Sequence, residues 1–303
     1  MIGIAASAED KRRALRADLK SGRLLRYVGA FSPIVAKLVA DIGFDGVYVS
    51  GAGLSADRAL PDIGLITQTE AALRGGQIAE ATALPAIFDA DTGYGEAVNV
   101  VRTIHELERA GLSGCHLEDQ INPKRCGHLD NKQLVETGQM VEKIRAAVGS
   151  RRDPNFLIMA RTDARSVEGL DAAIERAKAY EAAGADMIFP EAPWSEDEFA
   201  AFRAAIKVPL LANMTEFGKS PLLSTTQLGS LGYEMVIYPV TTLRLAMHAV
   251  EDGLKALKSA EDQSGLVDRM QTRTRLYELL RYQDYASLDA SVAGYGVGKG
   301  SAD

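Results

Sequence analysis

One phrase recurs along the chain and constrains its fold more than any other feature. In "DIGFDGVYVSG", "RAGLSGCHLED", "AAGADMIFPEA" and "SLGYEMVIYPV" a helical pattern ends on glycine and an apolar run follows at once. Gly43, Gly111, Gly184 and Gly232 are expected to close their helices in the left-handed conformation, which glycine adopts without steric penalty. Two variants, "LPAIFDAD" and "KVPLLANMT", put Pro85 and Pro209 at the first residue of a strand, where a missing N–H is tolerated. "LRYVGA" near Leu25 and "NFLIMARTDA" near Phe156 bring the expected strands to eight. All are continuous apolar runs, as strands buried on both faces of a parallel sheet should be. Segments such as "AVNVVRTIHELERAG" and "LDAAIERAKAYEAAG" separate them with apolar residues at helical spacing. Eight strand-then-helix units predict an α/β protein, a (β/α)8 barrel of the TIM type. The competitor is an open doubly wound sheet, and no glycine-rich phosphate loop follows the first strand to favour it.

The expected organisation is a single domain, 1–303, with the barrel at 22–258, a C-terminal helical extension at 259–286 and a disordered glycine-rich tail at 287–303. A net charge of −7 argues against an electrostatic nucleic-acid binder. No apolar run approaches the roughly 20 residues that span a bilayer. Two cysteines cannot form a disulfide framework, and the opening "MIGIAASAEDKRR" has its charges after its apolar run, the reverse of a signal peptide. A cytoplasmic protein whose partners are small molecules or its own copies is expected.

A barrel carries its reactive residues at the carboxyl ends of its strands. In strand order those ends read Ser50-Gly51, Asp89 and Asp91, Glu118-Asp119, Arg161 and Asp163, Glu191, then Asn213 and Thr215. Polarity begins at any strand end, but six in a row describe a rim that binds a metal and an anion together. Asp89 and Asp91, two apart on a strand, are expected to share a face, where they repel unless a cation or proton lies between them. Mg²⁺ suits such a pair, because it takes one or two carboxylates and completes its shell with water and substrate oxygens.

"NPKRCGHLDNK" sets Cys126 among Lys124, Arg125 and His128. Those neighbours are expected to lower the thiol's pKa. Three explanations stand: a zinc site with Cys115, His116 and His128, whose spacing is wrong for it; an incidental cysteine in a basic loop; or an acid/base thiol in an anion-binding pocket.

"KRCGH" after "HLEDQ", with "SGAG", "PAIFDADTGYG", "IMARTDA", "FPEA" and "LANMTEFG" in this order, resembles the isocitrate lyase/phosphoenolpyruvate mutase superfamily, and within it the 2-methylisocitrate lyases. The resemblance runs from about Tyr27 to Tyr285. It implies a Mg²⁺-dependent carbon–carbon lyase that splits 2-methylisocitrate into pyruvate and succinate during propionate catabolism. Asp89 and Asp91 would hold the metal with support from Glu118, and Ser50, Gly51 and Ala52 would bind the pyruvate-derived part. Lys124, Arg125, Gly127, His128, Arg161, Glu191, Asn213, Met214, Thr215, Arg244 and Arg273 would contact substrate. Cys126, on a loop that closes over the site, would protonate the succinate carbanion, while Tyr48, Asp62 and Glu118 are candidates for taking the hydroxyl proton. His116 is read as structural. The resemblance also implies a homotetramer in which the C-terminal helical extension is exchanged between subunits. "SGAG" departs from the expected "SGGG" at Ala52, which leaves isocitrate and 2,3-dimethylmalate as alternative substrates. Oxaloacetate hydrolysis on the same scaffold, and a non-catalytic ligand-binding barrel, are the readings from other classes.

Overall fold

The structure is a computed structural model that describes residues 6–293. A first helix, α1 (Ala8–Asp18), precedes β1 (Leu25–Gly29), and the chain then alternates: α2 (Pro33–Ile42), β2 (Gly46–Val49), α3 (Gly51–Asp57), α4 (Gln68–Glu80), β3 (Ala86–Asp89), α5 (Ala97–Arg109) and β4 (Gly114–Glu118). It continues through α6 (Thr137–Ser150), β5 (Leu157–Thr162), α7 (Leu170–Ala182), β6 (Met187–Pro190), α8 (Glu196–Ala205), β7 (Leu211–Asn213), α9 (Thr225–Ser230) and β8 (Met235–Tyr238) to α10 (Thr241–Ser259), α11 (Arg273–Leu280) and α12 (Tyr282–Ala293). All eight strands are parallel in the order β6-β5-β4-β3-β2-β1-β8-β7. A bridge between Ile188 and Leu210, with the Ile188 N–H donating to the Pro209 carbonyl at 3.0 Å, joins β6 to β7 and closes the barrel.

The glycine signal has its physical counterpart: Gly43, Gly111, Gly184 and Gly232 all have φ between +81° and +101°. The prolines differ slightly from expectation. Pro85 and Pro209 lie one and two residues ahead of their strands, where their carbonyls still accept bonds from Val47 and Ile188.

Side-chain alternation sorts each strand into two cores. Val47, Val49, Phe88, Leu117, Ile158 and Ala160 face the helices. Tyr27, Tyr48, Ile87, Met159, Phe189 and Ile237 fill the barrel interior. The interior is tight: a Cβ on Gly46 would come within 2.1 Å of the Tyr27 ring. Each fully buried side chain of this size contributes about 1.5–3 kcal/mol. Helix α1, outside the barrel limits expected from sequence, seals the amino-terminal mouth by inserting Leu15 into the interior cluster. Its Arg12 donates to the carbonyls of Leu112 (2.9 Å) and Glu108 (2.6 Å), and its Arg16 to those of Asn155 and Phe156 (both 3.1 Å).

Two compact units emerge, 6–246 and 247–293, with α10 contributing to both. The barrel unit thus begins before residue 22 and ends before 258. In the second unit the expected single helical pattern is broken into a 3-10 turn (Ser264–Arg269), α11 and α12, with Arg281 at φ +55° between the last two. Residues 287–293 belong to α12, which corrects the expected tail, and 294–303 lie outside the described residues. No helix among the described residues is long and apolar enough to cross a membrane.

Candidate active site

Where a strand's inward register runs past its last apolar residue, a polar one takes the next inward position. Ile87 is followed by Asp89, Met159 by Arg161, Phe189 by Glu191, and Leu211 by Asn213, while on β4 the inward positions are polar already at His116 and then Glu118. Pairing holds them level, with Asp89 opposite His116 and Glu118 opposite Arg161. Asp91 joins them differently from the expectation of a shared strand face. It lies beyond β3 at φ +47°, and this turn folds it back so that its N–H donates to Asp89 Oδ1 at 3.2 Å.

Six buried or partly buried carboxylates, Asp62, Asp89, Asp91, Glu118, Asp163 and Glu191, are gathered around three permanent cations, Lys124, Lys132 and Arg161. Arg161 bonds Asp163 through Nε (3.0 Å) and Nη2 (3.2 Å), approaches Glu118 at 3.1 Å and Glu191 at 3.6 Å, and lies over the Phe189 ring. Lys124 reaches Asp91 at 2.8 Å and also pairs with Asp62. Asp89 accepts from the Gly51 N–H (3.1 Å) and the Tyr48 hydroxyl (3.4 Å). Burial pushes Glu118 well above the usual carboxylate range, although Arg161 and Lys124 oppose it, and both its oxygens lack a hydrogen-bond partner. Burial and then the Asp89 charge push Asp91 up to about 6 against the pull of Lys124. His116 is pushed down to about 4 by burial, so its ring is neutral at neutral pH. Burial likewise raises Asp89, yet its cationic neighbours outweigh it and hold the carboxyl low; with His116 neutral, those cations are Lys124 and Arg161.

The segment between β4 and α6 roofs this cluster. Gln120 fastens its start, accepting from the Arg125 N–H and donating to the Arg125 carbonyl, both at 2.9 Å. His128 Nε2 lies 3.3 Å from Glu191, and His128 Nδ1 accepts from the Lys219 N–H at 2.9 Å. Gly127 is pressed on the site so closely that a Cβ there would lie 2.2 Å from Glu191 Oε1 and 2.6 Å from Arg161 Nη2. The expected lowering of the Cys126 pKa is corrected. Burial raises it, and the Glu191 and Asp62 charges add to that, outweighing the His128 N–H and the Arg161 charge, which pull the other way. Lys124 is committed to carboxylates and Arg125 is exposed.

Most of the remaining expected residues have definite places. Ser50 is buried and caps α3 through the Gly53 N–H (3.3 Å), with Gly51 and Ala52 in the first turn after it. Asn213 donates to Glu191 (3.3 Å), Met214 is buried with its sulfur accepting from the Leu223 N–H, and Thr215 is half-buried. Two arginines of the barrel unit are not gathered in. Arg125 is exposed, and Arg244 is exposed over the Phe217 ring, 3.5 Å from Glu216. Arg273 is a residue of the second unit. His116, read as structural from sequence, lies with Nε2 2.8 Å from the Tyr48 hydroxyl and 3.6 Å from Asp89. Lys132 went unnoticed, since nothing in "HLDNKQ" tells a buried lysine from a solvated one.

The acidic excess, and a Glu118 carboxylate that accepts no hydrogen bond and has only the Arg161 ion pair, suit a divalent cation. Among the described residues no three His, Cys, Asp or Glu side chains form a complete ligand set. A cation beside Asp89 and Asp91 would therefore draw on water and ligand oxygens, which is the habit of Mg²⁺.

Comparison with known proteins agrees with this architecture. The phosphoenolpyruvate phosphomutase family model matches residues 15–258. The chain is 57% identical over 298 residues to a probable 2-methylisocitrate lyase of Corynebacterium glutamicum, covering 97% of each. It superposes on an oxaloacetate acetylhydrolase structure holding 3,3-difluorooxalacetate, with TM-score 0.89 and 32% identity over 95% of this chain and 99% of the other. It is similar also to a phosphonopyruvate hydrolase in complex with oxalate and Mg²⁺, with TM-score 0.85 and 33% identity over 92% of this chain and 98% of the other.

Proposed function

The chain belongs to the phosphoenolpyruvate phosphomutase family, and from that premise we infer that it is a carbon–carbon lyase that cleaves 2-methylisocitrate into pyruvate and succinate. The observation that supports this most is the packing of the Cys126–His128 segment on Arg161 and Glu191, which brings a protonated thiol over an acidic, cation-seeking pocket. Identity of 57% to a probable 2-methylisocitrate lyase supports the choice of substrate.

Asp89 and Asp91, with Glu118 behind them, would hold Mg²⁺, which polarises the substrate's hydroxyl and carboxylate oxygens when bound. Arg161 and Lys124 meet the substrate's carboxylates, and Ser50, Gly51 and Ala52 cradle the pyruvate-derived part. The hydroxyl proton passes to Glu118. Among the three candidate acceptors, burial keeps Tyr48 protonated and Asp62 is held by Lys124; Glu118, also raised by burial, has Arg161 3.1 Å away and the proposed cation beside it to favour the ionised form that accepts a proton. As the carbonyl of pyruvate forms, the carbon–carbon bond breaks and its electron pair stays on the succinate fragment. The Cys126 S–H protonates that carbanion, and a thiol raised by burial is in the required form at neutral pH. The roof over the rim excludes water that would quench the carbanion without control.

Exposed apolar residues recur at helical spacing on α10, at Met247, Val250, Leu254 and Leu257, which supports burial against further copies of the chain, as in a homotetramer with exchanged C-terminal helices. A cytoplasmic setting fits an enzyme of central carbon acids. The deciding test is a product assay with Mg²⁺ on 2-methylisocitrate, isocitrate, 2,3-dimethylmalate and oxaloacetate offered separately. Pyruvate and succinate from the first alone are expected; preference for another substrate overturns the assignment. Cys126→Ser should lower kcat by ~100-fold or more with Mg²⁺ binding intact, and near-native turnover would remove Cys126 as the donor.

A further inference from the structure

Lys132 is buried at the far end of the roofing segment, its side chain 1% exposed, and the reaction described above gives it no task. A lysine in a polar loop is ordinarily solvated, and burial disfavours its charge unless carboxylates or carbonyls surround it. Here two groups do. Its Nζ lies 3.3 Å from Asp163 Oδ1 and donates to the carbonyl of Gly127. Asp163 is in turn the carboxylate that grips Arg161 through two hydrogen bonds. Gly127, the other partner, adjoins Cys126 and packs on Glu191 and Arg161 with no room for a Cβ.

We propose that Lys132 is a positioning residue that latches the roof: it ties the Gly127 carbonyl to Asp163 at the end of β5 and so holds the Cys126 thiol over the Arg161 cluster. Gln120 restrains the loop upstream of the cysteine and Lys132 does so downstream. Because Asp163 serves both Lys132 and Arg161, the position of the thiol and the orientation of Arg161 are coupled. The proposal rests on the reading of Cys126 as proton donor only for its effect on turnover.

The chain has two cysteines, and Cys115 is fully buried, so alkylation by iodoacetamide reports Cys126 alone. Lys132→Met in the full-length protein should be alkylated at least about tenfold faster than the parent in the absence of substrate. Loss of a nearby positive charge would by itself raise the thiol pKa and slow alkylation, so acceleration reads access. In turnover, kcat should fall about tenfold with KM changed less than threefold, and Lys132→Arg should restore most of both properties. Parental alkylation and kcat in Lys132→Met, with only a lowered Tm, overturn the latch and leave a structural lysine. If Lys132→Met does not fold, Lys132→Gln, which keeps a donor for Gly127, should give intermediate alkylation, and an unchanged rate overturns the proposal equally. Should Cys126→Ser prove active, the proton-donor reading falls, while the alkylation rate still judges the latch.

Discussion

The two mouths of the barrel are both lined with charge, yet they are built on opposite principles. At the amino-terminal mouth the three cations that α1 turns inward are matched to their surroundings, while the exposed Arg13 pairs with Glu9 and Asp10 of the same helix. Lys11 donates to the Ala79 carbonyl, Arg12 to two carbonyls and Asp153, and Arg16 to two carbonyls with Asp186 alongside. At the carboxyl-terminal mouth carboxylates outnumber permanent cations two to one, and Glu118, His116 and Asn213 each keep a buried polar atom without a hydrogen bond. A buried polar group left unsatisfied costs about 1–3 kcal/mol, so a fold retains it only where something else is gained. The matched mouth holds the barrel together, and the unmatched one keeps open the polar capacity that the proposed ligand site needs.

That contrast can be broken by substitution. The largest stability effect is expected at the matched mouth: Arg12→Met strands two carbonyls and Asp153 and should lower unfolding free energy by about 3 kcal/mol, with kcat within twofold of the parent. Denaturant titration beside a turnover assay decides it, and a collapse of kcat at unchanged stability would erase the distinction. Glu118→Gln should act in the reverse sense. The folded carboxyl is raised well above its unfolded value, chiefly by burial, so its ionised form opposes folding; that penalty is absent below pH ~4.3 and grows as pH rises. Metal-free Glu118→Gln should therefore be more stable than the parent at pH 8, by about 1 kcal/mol, and nearly inactive; a loss of stability there refutes the picture of an unmatched rim.

A third effect appears only on acidification and concerns His116, whose folded pKa of about 4 lies below the unfolded value of ~6.5. Between those values the unfolded chain binds more protons, so His116 contributes stability that is fully present above pH ~6.5 and lost as the pH falls toward 4. His116→Gln should flatten the thermal-stability profile in that window by at most about 1.4 kcal/mol per pH unit, and an identical profile would mean that the imidazole is not neutral in the fold.

Much of this was open to a reader of the sequence, for reasons that can be named. Gly43, Gly111, Gly184 and Gly232 marked the helix-to-strand turns because only glycine takes a left-handed φ without strain. The rim residues Asp89, Glu118, Arg161, Glu191 and Asn213 were legible because polarity begins where an inward register leaves the apolar core. Helix α1 was not, since its buried Lys11 and Arg12 look in sequence like the charges of a solvated helix. Arg125 and Lys132 illustrate the same blindness from both sides: equally basic on paper, one is exposed and the other buried against Asp163.

By itself, then, the sequence determined the number and order of strands, the barrel they close and the residue types at its rim, because these follow from periodicity and backbone sterics that act over a few neighbouring residues. Only the tertiary structure decided which charges meet. Asp91 turns back beside Asp89, Lys124 is spent on carboxylates, the Cys126 thiol is raised where its neighbours suggested it would fall, and His116 faces Tyr48. Protonation and pairing depend on burial and on groups within a few ångströms, and distance in space is the one quantity that a linear order of residues does not contain.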